Sequence, residues 1–178
     1  MRTCLTFLTL LLLFANPIFA YDRETWTSFT NMNYVTSLSE GDNVIYIATT
    51  GGIRRYDKFT KTFLSPLTTL DGLPDNRVQR LAFDQNTGDL WFETPSGGGR
   101  WISRLDIMSL VGQTPAILRK PKLQEHLPSV VMPFGYYLEP NRIRGPRQDY
   151  PVTETLIDAW GDFWLGTWGL GVGRADMR

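Results

Sequence analysis

Three segments of this chain superimpose, and that repeat restricts what it can fold into more than any other feature. NVIYIATTGGIRRYD (43–57), DLWFETPSGGGRWISRLD (89–106) and DFWLGTWGLGVGRAD (162–176) each carry an aromatic residue, a threonine three positions later, and then glycines. Tyr46 to Trp91 is 45 positions, as is Thr49 to Thr94; Trp91 to Trp164 and Thr94 to Thr167 are both 73, one period plus 28 inserted residues. Each unit also closes on Arg-x-Asp, read at Arg55 and Asp57, Arg104 and Asp106, and Arg174 and Asp176. A short unit of this kind cannot bury its apolar face alone and must stack on its neighbours.

Within the second unit, 77–83 reads as a first strand, 84–89 as a polar turn, 90–94 as a second strand and 100–105 as a third strand after the glycines. A fourth, outer strand is visible in the first unit around 62–65. Four antiparallel strands in about 45 residues is the size of a β-propeller blade. The expected fold class is therefore all-β, with about three four-stranded units at 31–67, 74–106 and 150–176, an insertion at 107–149, and an incomplete ring. Trp91 and Trp164 recur in phase on the second strands, so both are expected in the core between blades.

Residues 1–20 are set aside, because Arg2 precedes the apolar run LTFLTLLLLFA (5–15) and NPIFA then ends on the small Ala20. That is the pattern of a secretory signal peptide. The run is shorter than the roughly 20 residues a membrane-spanning helix needs, so no membrane span is expected after leader cleavage. Cys4 lies in the leader without a lipobox, which argues against a lipid anchor.

The remaining 158 of 178 residues hold no cysteine and one histidine, His126, which excludes disulfides, thiol catalysis and zinc fingers. The leader contains one of the 18 basic residues and none of the 18 acids, leaving the rest one unit negative with no long basic run. Nucleic acid is accordingly not an expected partner. Six tryptophans, seven tyrosines, ten phenylalanines and 16 glycines suit short twisted strands joined by tight turns. The expected location is secreted or periplasmic.

DGLPDNRVQRLAFDQNTGDLWFETPSGG resembles the two-component regulator propeller repeat family, carried by Asp71, Gly72, Leu73, Pro74, Asn76, Val78, Asp84, Gly88, Leu90, Trp91, Thr94 and Gly97. The first unit departs from that pattern with Tyr46 where tryptophan is usual, and the third places Gly166 and Trp168 around its threonine. The resemblance implies a sensor-type propeller, here a short or truncated member, that binds a ligand or a protein without catalysis. A second likeness, of GDLWFETPSGGGRWISRLD to virginiamycin B lyase-type propellers, implies a histidine base and a magnesium-binding glutamate. His126 lies in the insertion and the local order is Phe92, Glu93, Thr94, so no catalytic residue, metal or cofactor is assigned and the chain is not expected to be an enzyme.

In a propeller, the turn between the second and third strands shares an end with the loop leading into each blade. Asn33, Asp75, Asn76 and Arg77 are thus expected beside Thr50, Ser96 and Trp168. Trp168 stands out because a turn does not require an indole. Asn33, Thr50, Asp75, Arg77, Ser96 and Trp168 are the candidate ligand-binding residues, for a sugar or peptide. DQNTGD (84–89) has a calcium-like alternation, but its glycine is one place early and Pro95 stands where a glutamate is needed, so it reads as a β-turn. Asp71 and Asp75 sit where the repeat needs turn residues, not an acid–base pair.

The insertion carries Arg119, Lys120, Lys122, Arg142, Arg144 and Arg147 against four acids, the adjoining Asp106 included, a mild positive bias. It is expected to elaborate the second blade, with GYYLEPNRIRG forming a hairpin at Pro140 and Asn141. WTSFT (26–30) precedes the first unit as an outermost strand without a blade of its own. Three blades leave apolar faces and edges to cover, either because this is a shortened copy of a longer propeller or because a homodimer completes the ring.

Overall fold

A computed structural model describes residues 28, 30–112, 116–118 and 130–176. The leader, most of the 26–30 segment and His126 lie outside the described residues. Those described contain 14 strands, β1–β14, in three wholly antiparallel sheets and no α-helix. The chain is all-β and built of propeller-type blades in an incomplete ring.

The first sheet orders β1 (Val35–Glu40), β2 (Val44–Thr49), β3 (Gly52–Asp57) and β4 (Thr62–Leu67). The second orders β5 (Arg80–Asp84), β6 (Asp89–Thr94), β7 (Gly97–Ile102) and β8 (Ile107–Val111). Two expectations are corrected here. The first strand starts at Arg80 and not at 77, because 74–79 is spent on the loop that leads in. The glycines precede no strand but form one, β7, since the tight turn falls at Pro95 and Ser96. A Cβ on Gly99 would lie 2.6 Å from the Ser109 carbonyl and 2.8 Å from the Phe92 ring, so close packing under β8 requires glycine there.

The third sheet departs most from expectation. It runs β14 (Val172–Asp176), β13 (Asp162–Thr167), β12 (Asp149–Ile157), β11 (Arg142–Arg144), β10 (Tyr136–Glu139) and β9 (Val130–Met132). It therefore has six strands instead of four. The hairpin between β10 and β11 turns at Pro140 and Asn141 as read. It extends the third sheet through β11 and β12, however, and does not elaborate the second. The second sheet instead takes Ile107–Val111, at the start of the supposed insertion, as its outer strand.

Packing order differs from chain order. β1 contacts both β5 and β12, so the first sheet stands between the other two. Toward the second sheet it presents Tyr46, Ala48, Ile53 and Leu67, which meet Val78, Leu81, Leu90, Phe92 and Trp101. Toward the third it presents Val35, Leu38, Ile45 and Ile47 around Trp164. The third sheet's other face packs Phe163 and Leu165 with Leu138, Ile143 and Val152 of its own added strands. Its curl covers the face that an ordinary end blade would leave open.

This arrangement separates two tryptophans read as equivalent. Trp164 is 2% exposed against the first sheet. Trp91 points to the opposite side of β6 from Leu90 and Phe92, away from the first sheet, and is only half-buried beneath Arg100. The repeat phase is intact, but the second sheet has no next blade for Trp91 to fill among the described residues.

Candidate functional site

The threonines that mark the repeat are structural. Each hydroxyl donates across the β2–β3-type hairpin to a glycine carbonyl: Thr49 to Gly52, Thr94 to Gly97 and Thr167 to Gly171, all at 2.7 Å. The arginine that recurs is the one facing the aromatic position across the next strand. Tyr46 pairs with Arg55, Trp91 with Arg100 and Trp164 with Arg174. The second unit's equivalent is thus Arg100, not Arg104, which sits exposed in the following turn. Arg100 Nη1 donates to Asp89 Oδ2 at 2.9 Å and Arg174 Nε to Asp162 Oδ2 at 2.8 Å. Val44 replaces that aspartate in the first unit, and Arg55 turns to the Ser65 carbonyl at 2.9 and 2.6 Å.

With the hairpins fixed this way, their turns and the loops leading into β1, β5 and β12 gather at one end of the blades. Parallel alignment of β1 and β5 is held by a ladder. The Thr36 hydroxyl donates to the Val78 carbonyl at 2.6 Å, and Ser37 and Ser39 hydroxyls accept from the Leu81 and Phe83 amides at 3.3 and 2.8 Å. The Leu38 amide donates to the Glu154 carboxylate on β12. These alternating hydroxyls bind the inner strands without filling the space between them.

The six candidate residues divide into two groups at this end. Around Tyr34 lie Asn33, Thr50 and Trp168. The Asn33 carbonyl accepts from the Gly169 and Gly171 amides at 3.0 and 2.8 Å, the Tyr34 carbonyl from Thr50 at 3.1 Å, and the Pro151 carbonyl from Trp168 at 2.9 Å. The Trp168 ring, 42% exposed, meets Tyr34 edge-on at 5.1 Å. Tyr34 was not singled out in the sequence. It precedes the strand and has no counterpart in the repeat, so nothing there marks it.

Asp75, Arg77 and Ser96 form the second group. Asp75 accepts from the Arg77 amide at 2.9 Å and from the Ser96 hydroxyl at 3.4 Å, while the Arg77 side chain is exposed. The Val78 amide, donating to the Thr49 carbonyl at 3.0 Å, ties this loop to the first sheet. Asn76 turns inward and accepts from Thr69 at 2.8 Å. Asp71 caps the single turn Thr69–Asp71 by accepting from the Thr68 amide at 2.7 Å. Asp84 accepts from the Asn86 amide at 2.9 Å in an ordinary turn closed by Gly88. All three carboxylates are thus engaged by local backbone.

The insertion's basic residues are largely neutralised where they are described. Arg142 pairs with Glu139 and Asp149, and Arg144 with Glu139. Burial of the opposite end places Lys58, 3% exposed, on Glu40 at 2.6 Å and beneath Trp160. Beside it, burial works to raise the Asp158 carboxyl, but hydrogen bonds from the Trp164 indole and the Asp162 and Trp160 amides, with Lys58 nearby, outweigh it and hold the group below the usual carboxylate value. Among the described residues no group of three His, Cys, Asp or Glu side chains is placed to hold a metal, and no helix is long and apolar enough to cross a membrane.

No protein family and no curated protein matches this chain. Among solved structures it is similar to the extracellular domain of the putative one component system BT4673 from B. thetaiotaomicron, at 13% identity and a TM-score of 0.41. That match covers 84% of this chain but 28% of the other. The extracellular domain of the putative hybrid two component system BT3049 from the same organism matches at 15% identity and a TM-score of 0.32, over 87% of this chain and 22% of that one. These likenesses are too loose to carry a family or a function, and the chain spans under a third of either structure.

Proposed function

We propose that this protein is a non-catalytic recognition module acting outside the cytoplasm, and that the end bearing Asn33, Thr50, Asp75, Arg77, Ser96 and Trp168 takes a carbohydrate or a short peptide. The observation that carries this reading is the Trp168 indole. It is 42% exposed, yet the backbone on both sides of it is hydrogen-bonded and its edge rests on Tyr34. A ring that is open but held still offers contact area at little ordering cost, which is how aromatic platforms receive sugar faces and apolar side chains. Asn33 supplies an exposed polar group in the same cluster, and Arg77 and Ser96 supply others in the second group at this end. The leader-like 1–20 segment supports an extracytoplasmic setting.

The test is a calorimetric titration with cello-, xylo-, malto- and chito-hexaose and with a random peptide pool. Trp168→Ala is expected to weaken the ligand found by on the order of 1 kcal/mol, about fivefold, and to leave the melting temperature almost unchanged. An unaltered affinity would discard this face as the site.

A further inference from the structure

Besides β1 and β5, which lie side by side within the stack, the three sheets end on β4, β8, β9 and β14. A strand at a sheet edge presents unpaired backbone donors and acceptors that recruit another strand unless something blunts them. β4 contains Pro66, which has no N–H to offer. β14 has Arg174 at its centre and Asp176 at its end, and β9 runs straight into Pro133. β8 has neither a charge nor a proline, and among the described residues it pairs with β7 alone. Its sequence, IMSLV, is apolar except at Ser109, and Ile107 and Leu110 are 51% and 62% exposed. The chain that leaves β8 does not double back along it. By Leu118, whose carbonyl accepts from Arg80 at 3.5 Å, it has reached β5 at the other edge of the sheet.

We infer that the occupant of this edge is the β8 of a second copy, paired antiparallel about a two-fold axis at Ser109. The edge is self-complementary, as a two-fold interface must be, because each patch meets itself. An axis at Ser109 sets Ile107 opposite the partner's Val111, Met108 opposite the partner's Leu110, and Ser109 opposite the partner's Ser109. Each facing pair is apolar or small, and the next pair out, Asp106 with the partner's Gly112, opposes no like charges. The same operation on β14 would set Arg174 against the partner's Arg174. Across the β8 seam the exposed Ile107 and Leu110 gain neighbours, and two four-stranded sheets become one continuous sheet. β8 runs toward the end that carries Ser96, since Val111 pairs with Gly98. Antiparallel pairing therefore turns the candidate recognition ends of the two copies in opposite directions, so that one dimer can bridge two ligands. The pairing itself does not depend on what that end binds. A seam of one short strand a side is small, and association in the micromolar range is expected.

Light scattering of the unmodified chain from about 1 to about 200 µM is the first test. The apparent mass is expected to rise from one copy toward two; a mass that stays at one copy, or climbs past two, would overturn the inference. Leu110→Lys, at an exposed position, puts a charge into the seam and is expected to raise the dissociation constant at least about tenfold, with the fold checked by far-UV circular dichroism. A folded variant that dimerises as before would place the contact elsewhere and overturn it. Disulfide trapping then tests the axis, since Cys4→Ser leaves the chain without other cysteines. In that background Ser109→Cys faces its own counterpart, whereas Leu110→Cys lies diagonal to its counterpart, beyond the roughly 7 Å that a disulfide can bridge. Diamide is expected to cross-link Ser109→Cys at least about tenfold faster than Leu110→Cys. Equal rates, or faster cross-linking at Leu110→Cys, would overturn the pairing.

Discussion

Trp91 and Trp164 occupy the same place in the repeat, and their deletion should separate position in sequence from position in the stack. Trp164 is 2% exposed, packed among Val35, Leu38, Ile45 and Ile47, edge-on to Tyr56 at 5.0 Å, with its indole N–H on Asp158 Oδ2 at 2.8 Å. Truncation of a core tryptophan to alanine costs about 3–5 kcal/mol. The unpartnered Asp158 oxygen adds about 1 kcal/mol. At roughly 2–4 °C per kcal/mol for a domain of this size, Trp164→Ala should lower Tm by roughly 10–20 °C. Trp91 is half-buried on the far side of its sheet, where only part of the ring is out of water, so Trp91→Ala should cost about 1–2 kcal/mol. Trp164→Phe, which keeps most of the packing and loses the N–H, should fall between them. Urea unfolding followed by far-UV circular dichroism measures all three. Equal losses at the two tryptophans would show that something packs on Trp91 as closely as the first sheet packs on Trp164, and would refute the stacking order argued above.

Asp158 predicts an acid limb. Its carboxyl is held below the usual value in the folded protein, so the unfolded chain takes up the proton first as pH falls; the stabilisation is complete above the unfolded value near 4 and is lost as pH drops through the folded one. Asp158→Asn should therefore destabilise at neutral pH and flatten the loss of Tm below about pH 4, and a parallel acid limb in wild type and variant would exclude this group. Gly99→Ala would place a methyl 2.6 Å from the Ser109 carbonyl, and is expected to cost about 1–3 kcal/mol in the same urea assay, far beyond the effect of alanine at exposed Ser103.

The repeat itself was fully legible: the period, the hairpin threonines and the aromatic positions all follow from residues at fixed spacing. Arg100 was not, because Arg104 keeps the Arg-x-Asp spelling while strand pairing, which sequence does not display, puts Arg100 opposite Trp91. The sequence places the third strand after the glycine cluster, because glycine has no side chain to mark the alternation of a strand; only the approach of β8 shows why this strand includes them. Trp91 reads as core only if units adjacent in sequence are also adjacent in space. That assumption failed when the third sheet packed on the first. At the candidate site, Trp168 was visible as an indole in a turn, whereas Tyr34, which holds it, has no equivalent in the other units.

The middle position of the first sheet also bears on how the chain acquires its structure. Hydrogen bonds joining the first and second sheets link residues 44 apart, at Ser37 with Leu81 and Ser39 with Phe83. Those joining the first and third sheets link residues 116 to 119 apart, at Leu38 with Glu154 and Glu40 with Ala159. The added loop-closure entropy is only about 0.9 kcal/mol, but the third sheet's inner strands do not exist until most of the chain has been made. During synthesis the first two sheets can dock while Val35, Ile45 and Ile47 wait uncovered on the other side. The nascent protein is thus most exposed to self-association between completion of the second sheet and arrival of Trp164, and a chaperone that holds apolar strands would have its work there.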